Sequence, residues 1–219
     1  MKTQVTKILH DVEIALNEVN PNEAAFVGDT DHTDLLTIIE NQIEATVDQV
    51  HSKARIGRMV LDATEEICYQ GDTTDPRFIY NNRTGVLTIL VRSFSSPSDN
   101  TFNADMLRLV RANAKGWPFD VTNEIFDDDP LFAIVCDSYV GAQVDFPAVT
   151  RRKRNISIDN KRKSMEVLEL RCLERPSDWA TVSYIPRAHI HDGQVDIDSA
   201  LYHEFIDALV AKVMTIRNN

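Results

Sequence analysis

Two histidines near the carboxyl end, His189 and His191, have the spacing that best fits metal-ion chemistry. On a strand, an H-x-H pair places both imidazoles on one face. Zinc or iron would also need a third protein ligand and an open coordination position. Asp192 follows directly and His203 could come near in space, but no third ligand lies at a recognisable spacing. The sequence therefore favours an exposed loop here, and a metal-dependent enzyme using His189, His191 and nearby acids remains an alternative.

Three consecutive acids, Asp127–Asp129, precede Pro130 and could bind a divalent cation or act as an acid–base pair. The EF-hand pattern is absent, because the alternating ligands and the glycine and glutamate at the required offsets are missing. A run of acids before a proline is more typical of a solvated loop, which is the interpretation we favour.

Nucleophilic and phosphate-cradling motifs are also absent. Cys136 and Cys172 lie in apolar surroundings and are expected to be small buried hydrophobes. A cysteine nucleophile needs a positioned histidine, and nothing in the sequence ties one to either thiol. The motifs G-x-S-x-G, G-x-x-x-x-G-K-[ST] and G-x-G-x-x-G do not occur. We therefore expect no enzyme activity and no cofactor.

A dense basic segment is the strongest charge feature of the chain. Seven of the thirteen residues from 151 to 163 are basic: Arg151, Arg152, Lys153, Arg154, Lys161, Arg162 and Lys163. Asn155–Ile158, which separates the two runs, alternates like a strand, so the segment is predicted to be a long hairpin or loop that projects from a sheet.

This basic segment has three interpretations. It could contact the phosphates of nucleic acid, bind an acidic face of a neighbouring subunit, or be a solvated loop. A helical acidic stripe of Glu40, Glu44 and Asp48 is the candidate partner face. No aromatic residue lies within the segment, which disfavours stacking on single-stranded bases. We favour the subunit contact, with a basic-loop nucleic-acid-binding module as an alternative.

The elements that position these residues are helical at both ends of the chain. Apolar residues recur at helical spacing from Val5 to Val19, and again on one face from Leu35 to Val50. A third helix is predicted over Met59–Ile67, ending before Gly71. A closing helix is predicted from Ile197 to Val213, with Asp196 or Asp198 as its cap.

The middle of the chain has strand periodicity. Phe78–Tyr80 and Val86–Val91 flank a turn that contains Gly85, which predicts a hairpin. Further strands are predicted at Met106–Val110, at Val167–Leu173 and at Thr181–Ile185. The sequence thus predicts an α+β fold: a helical domain over residues 1–71, completed by 195–219, and an inserted β-rich domain over 72–194.

Composition narrows the class of protein. The chain has 219 residues and a net charge of −11, which disfavours a general nucleic-acid binder. No apolar run approaches the roughly 20 residues of a membrane span, and the first residues lack an apolar signal region. Three widely spaced cysteines fit reduced thiols in a cytosol. No membrane contact is expected.

Several stretches together resemble the head-to-tail connector (adaptor, or ring) proteins of tailed phages, in particular the tubular tail proteins of short-tailed phages. The residues of these stretches are most similar to those of the ring proteins of crAss-like phages. The stretches are Thr33–Glu40, Asn103–Val110, Val167–Arg171, Ala180–Pro186 and Asp198–Lys212. The resemblance covers most of the chain as an order of elements. One departure is that the chain ends at Asn219, soon after the closing helix, where many adaptors carry a longer arm.

The resemblance implies a virion structural protein of the phage neck or tail, made in the bacterial host cytoplasm. Copies would form a cyclic, roughly 12-fold ring. This ring would connect the portal protein to adjacent neck or tail ring proteins. Genomic DNA would pass through the channel during ejection without sequence recognition. Contacts between the basic segment of one subunit and the acidic surface of the next would close such a ring.

Overall fold

The computed structural model describes residues 1–19, 30–71, 75–94, 105–137, 141–158, 160–171, 173, 175 and 178–217. Within these ranges the chain has four α-helices and ten strands, so the predicted α+β class is confirmed. The helices are α1 (Val5–Val19), α2 (Thr30–Lys53), α3 (Leu131–Cys136) and α4 (Tyr202–Arg217). The strands are β1 (Lys2–Gln4), β2 (Glu65–Tyr69), β3 (Phe78–Asn81), β4 (Val86–Ser93), β5 (Met106–Ala114), β6 (Glu124–Phe126), β7 (Ala148–Ile158), β8 (Lys161–Arg171), β9 (Ala180–Pro186) and β10 (Gln194–Asp196). No helix in the described ranges is both long and apolar enough to cross a membrane.

The chain divides into two compact units, and the first, Met1–Ala63 with Arg187–Asn219, joins the two ends of the chain. Helices α1, α2 and α4 pack around one hydrophobic core, since each presents an apolar stripe at a spacing of three to four residues. Fully buried members of this core include Ile8, Val12, Ile39, Ile43, Phe205 and Leu209. Strand β1 pairs antiparallel with β10, so the start of the chain is held beside the segment that leads into α4.

The second unit, Thr64–Pro186, contains two sheets. The five-stranded sheet has the order β3-β4-β8-β7-β6, and the three-stranded sheet has the order β2-β9-β5. Every pair is antiparallel except β6 with β7, which is parallel. Alternate residues of both sheets, such as Leu87, Leu168 and Val182, form one hydrophobic cluster. The predicted hairpin at residues 78–91 is confirmed as β3–β4.

The third helix predicted over Met59–Ile67 is wrong. A short 3₁₀ turn at Ile56–Arg58 is followed by an irregular segment and then by β2, which pairs with β9. Leu61 has φ +63°, and its backbone N–H donates to the Asp198 carboxylate at 2.8 Å, so the chain turns where the helix would continue. The strand β2 therefore belongs to the second unit, whereas residues 187–194, expected in the β-rich domain, belong to the first.

Asp198 also caps the start of the closing helix. The carboxylate accepts a hydrogen bond from the backbone N–H of Ala200 at 3.0 Å, at the 3₁₀ turn Ser199–Leu201 that leads into α4. Because the residue is buried, these backbone donors replace the water that would otherwise solvate its charge. The predicted cap is thus confirmed at Asp198.

Candidate subunit-contact site

The basic segment forms a β-hairpin, as the alternation of Asn155–Ile158 predicted. Strands β7 and β8 pair from Ala148 opposite Arg171 to Ile158 opposite Lys161. Strand β4 pairs with β8 as far as Met165, and β6 pairs with β7 only as far as Arg151. Among the described strands, residues 155–158 and 161–164 pair only with each other. We call residues 155–158 and 160–164 the hairpin tip, and it extends beyond the neighbouring described strands of its sheet.

Arg151 lies on the core side of the sheet and is 2 % exposed. Its Nε donates to Glu166 Oε1 at 2.8 Å, and its Nη1 lies 3.2 Å from Glu124 Oε2. Its guanidinium also donates to the backbone carbonyls of Met106, at 2.7 Å, and Leu107, at 2.9 Å. Burial raises the pKa of Glu124, and the charge of Arg151 opposes that shift. Arg151 therefore holds strands together within its own chain and has almost no exposed surface for contact with another molecule.

Arg152 and Arg154 lie on the opposite face of β7, since side chains alternate along a strand. Both donate to Glu169 Oε1, from Arg152 Nη2 at 2.7 Å and from Arg154 Nη1 at 3.1 Å. Glu169 is 1 % exposed, so these two arginines serve a buried carboxylate of their own chain.

Arg154 is itself 48 % exposed, and the hairpin carries further exposed cations. Lys161 and Arg162 are exposed in the hairpin tip, whereas Lys163 is half-buried. Lys153 is also exposed, and its Nζ lies 4.8 Å from the centre of the Phe94 ring. Asp159, the acidic residue between the two basic runs, lies outside the described residues. Of the seven predicted cations, Lys161 and Arg162 are thus the pair best placed to meet another molecule.

The acidic stripe on α2 has a role inside its own unit. Glu44 Oε1 accepts a hydrogen bond from the backbone N–H of Ile190 at 2.7 Å, and Asp48 Oδ1 accepts one from Ala188 at 2.8 Å. Both carboxylates therefore fix the segment that leads to β10. Of the three predicted acids, only Glu40 is exposed.

The histidine pair does not lie on a strand. His189 and His191 are exposed, and His191 exchanges two backbone hydrogen bonds with Gln194 around a turn at Asp192, φ +51°, and Gly193, φ +70°. The described residues include no group of three or more His, Cys, Asp or Glu side chains that could hold a metal ion. The exposed-loop interpretation of this segment is confirmed.

The other candidates for chemistry are surface features. Asp127–Asp129 are exposed, and Asp129 Oδ1 accepts a hydrogen bond from the backbone N–H of Leu131 at 2.8 Å, where α3 begins. Cys136 was expected to be buried but is only half-buried, because no residue of the short helix α3 is buried. Cys68 is exposed, and partial desolvation and the Glu66 carboxylate raise its pKa. Cys172 lies outside the described residues.

Three carboxylates that were not predicted from the sequence are the internal partners of the basic segment: Glu124, Glu166 and Glu169. A signal for Glu169 was present, because it stands between two leucines of a strand, where a carboxylate is rarely found without a partner. Pairing β7 with β8 places Glu169 opposite Thr150 and close to Arg152. No such signal marks Glu124, which approaches Arg151 through the parallel pairing of β6 with β7.

Comparison with known proteins assigns no role to the site. No protein-family model matches the chain, and no curated protein matches its sequence.

Proposed function

We propose that this protein is a virion structural protein of the phage neck or tail, whose copies form a ring that connects the portal to the tail and extends the DNA channel. The observation that carries the proposal is the hairpin tip, which extends beyond its sheet and exposes Lys161 and Arg162. The order of helices and strands, which resembles that of phage connector proteins, supports it.

Ring closure places a specific demand on the surface of a subunit. A cyclic ring uses a heterologous interface, in which two different and complementary patches occur on every copy. The chain carries a net charge of −11, so a basic protrusion on one copy meets a predominantly acidic surface on the next. Complementary charges of this kind fix orientation and accelerate encounter. Glu40, which is exposed, is a candidate acceptor for the tip.

The same charge balance suits a channel protein. An acidic subunit repels the phosphates of DNA, so genomic DNA passes through the ring without adhering and without sequence recognition. This role requires neither catalysis nor a cofactor. The portal protein and the adjacent neck or tail rings are the partners that follow from it.

Electron microscopy of the purified chain, alone and mixed with the cognate portal protein, tests the proposal. We expect annular class averages, or an additional layer on the portal. The double variant Lys161→Glu/Arg162→Glu should lose the rings, because it reverses the charge of the tip. A matched control, Lys53→Glu/Arg55→Glu, reverses two exposed cations in the first unit and should retain them.

Two results would contradict the proposal. A monomer in both samples would remove the assembly, and intact rings in Lys161→Glu/Arg162→Glu would remove the role of the tip. Binding of random-sequence duplex DNA by the purified chain, lost in the same variant, would instead assign the tip to nucleic acid.

A further inference from the structure

A second cluster of charge lies on the face of the five-stranded sheet that points away from the hydrophobic core of the second unit. Three arginines on this face surround Glu169: Arg152 and Arg154 from β7, and Arg171 from β8. Arg171 Nη2 donates to Glu169 Oε2 at 2.6 Å, and the other two arginines donate to Oε1. The cluster is independent of the hairpin tip.

The charges of this cluster do not balance. Three guanidinium groups share one carboxylate, so two positive charges remain without an opposite charge within the cluster. Both oxygens of Glu169 already accept hydrogen bonds from arginines. The Thr150 hydroxyl is an additional donor, at 3.4 Å from Oε2. Arg171 is 13 % exposed, Arg152 31 % and Arg154 48 %, so solvent screens their mutual repulsion only in part, and a bound anion would stabilise the arrangement.

A cavity of about 150 Å³ opens at the cluster. Its lining residues are the three arginines and Glu169, together with Asn81, Thr84, Val86 and Thr88. Arg152 Nε is shielded from solvent and has no hydrogen-bond acceptor among the described residues. A shielded donor without an acceptor costs roughly 1–3 kcal/mol, so the described side chains leave part of the donor capacity of the cluster unused.

The size and the donor set define the ligand. Pockets for drug-sized molecules measure roughly 300–1,000 Å³, so this cavity takes a single small group. Guanidinium forks match the oxygens of phosphate and carboxylate, and hydroxyl and amide groups complete the lining. A carboxylate would neutralise one of the two unbalanced charges, whereas a phosphate dianion neutralises both. We propose that the pocket formed by Arg152, Arg154 and Arg171 binds a phosphate dianion, either free inorganic phosphate or the terminal phosphate of a larger molecule.

Isothermal titration calorimetry of the full chain with inorganic phosphate, near pH 7.5, tests the proposal. Arg154→Gln is the primary variant, because Arg154 is 48 % exposed and its loss leaves two arginines on Glu169. We expect saturable binding by the wild type and about tenfold weaker binding by Arg154→Gln, which corresponds to about 1.4 kcal/mol. Arg154→Lys should fall between the two, because it keeps the charge and loses the fork.

A second variant distinguishes weaker phosphate binding from a loss of folding. Thr88→Val removes a hydroxyl from the lining, leaves every ion pair in place and should also weaken phosphate binding. The control Lys53→Gln/Arg55→Gln removes two exposed cations of the first unit, outside the pocket, and should bind phosphate as the wild type does. A phosphate-dependent rise in melting temperature should appear in the wild type and shrink in Arg154→Gln.

Oligonucleotides distinguish the two sources of the phosphate. If a single-stranded DNA with a 5′-phosphate binds more tightly than the same DNA without it, the ligand is a terminal phosphate. If the two DNAs bind equally while inorganic phosphate binds saturably, the ligand is the free ion. Absence of saturable phosphate binding by the wild type would overturn the proposal. Affinity unchanged in both Arg154→Gln and Thr88→Val, or lost only in the Lys53→Gln/Arg55→Gln control, would overturn it as well. None of these outcomes depends on ring formation.

Discussion

Neighbouring cations on β7 have different surroundings because side chains alternate across the sheet. Arg151 faces the core, where Glu124, Glu166 and two backbone carbonyls accept from its guanidinium. Arg152 and Arg154 face the other way and share Glu169. Removing one partner of a buried ion pair costs roughly 3–5 kcal/mol, because the remaining charge stays buried. Charge reversal intended to test assembly therefore belongs at Lys161 and Arg162, where it leaves the core ion pairs intact.

A buried histidine should make the free energy of unfolding depend on pH. His51 is 2 % exposed, and its Nε2 accepts a hydrogen bond from the backbone N–H of Asp198 at 3.0 Å. Burial lowers the pKa of His51 below its ordinary value of 6.5, and the nearby Asp198 carboxylate only partly opposes this. The unfolded chain therefore binds the proton more readily than the folded chain. The contribution of His51 to stability is fully present above pH 6.5 and declines as the pH falls below that value.

Urea denaturation between about pH 5 and pH 8 measures this dependence. His51→Gln should flatten the decline below pH 6.5, because glutamine keeps a hydrogen-bond acceptor and does not titrate. His203→Gln, at an exposed position of α4, should leave the decline unchanged. Equal slopes in the wild type and in His51→Gln would refute the assignment.

At the scale of the elements, the turn between β3 and β4 depends on Gly85. Its φ is +62°, and a Cβ added there would lie 2.7 Å from the backbone carbonyl oxygen of Leu173. The same glycine accepts a hydrogen bond from the backbone N–H of Leu173 at 3.0 Å, so the chain after β8 is fixed against the turn. Gly85→Ala should lower the free energy of unfolding by more than the roughly 1–2 kcal/mol that left-handed backbone costs an ordinary residue.

Gly57 provides a matched control for that substitution. No atom lies within 4 Å of a Cβ added at this position, and Gly57 is exposed. Gly57→Ala should therefore leave the urea midpoint close to that of the wild type, while Gly85→Ala lowers it. Equal midpoints in the two variants would show that the turn accommodates a side chain, contrary to the geometry.

Local hydrophobic periodicity predicted the long helices. The structure of other segments depends on long-range pairing, which periodicity does not show. The helices α1, α2 and α4 were predictable because their apolar stripes recur over four or more turns. Strand β2 was not, because Ile67 fits a helical spacing from Met59 equally well, and only pairing with β9 selects the strand. For the site, the hairpin was predictable, but the burial of Arg151 depends on Glu124 from β6. That contact is tertiary, and no pattern within the segment contains it.

For the molecule as a whole, the proposed assembly through exposed charges should respond to salt, whereas the fold should not. Charges separated by solvent are screened over about 10 Å at 0.1 M salt and about 3 Å at 1 M. The fraction of rings, measured by sedimentation velocity, should therefore fall as NaCl rises from about 0.05 to about 0.5 M. The ion pairs of Arg151 are buried and weakly screened, so the urea midpoint should change little over the same range. Rings that persist at high salt would instead indicate closure through apolar contacts, for which exposed side chains such as Phe126, Leu131, Ile134 and Phe146 are available.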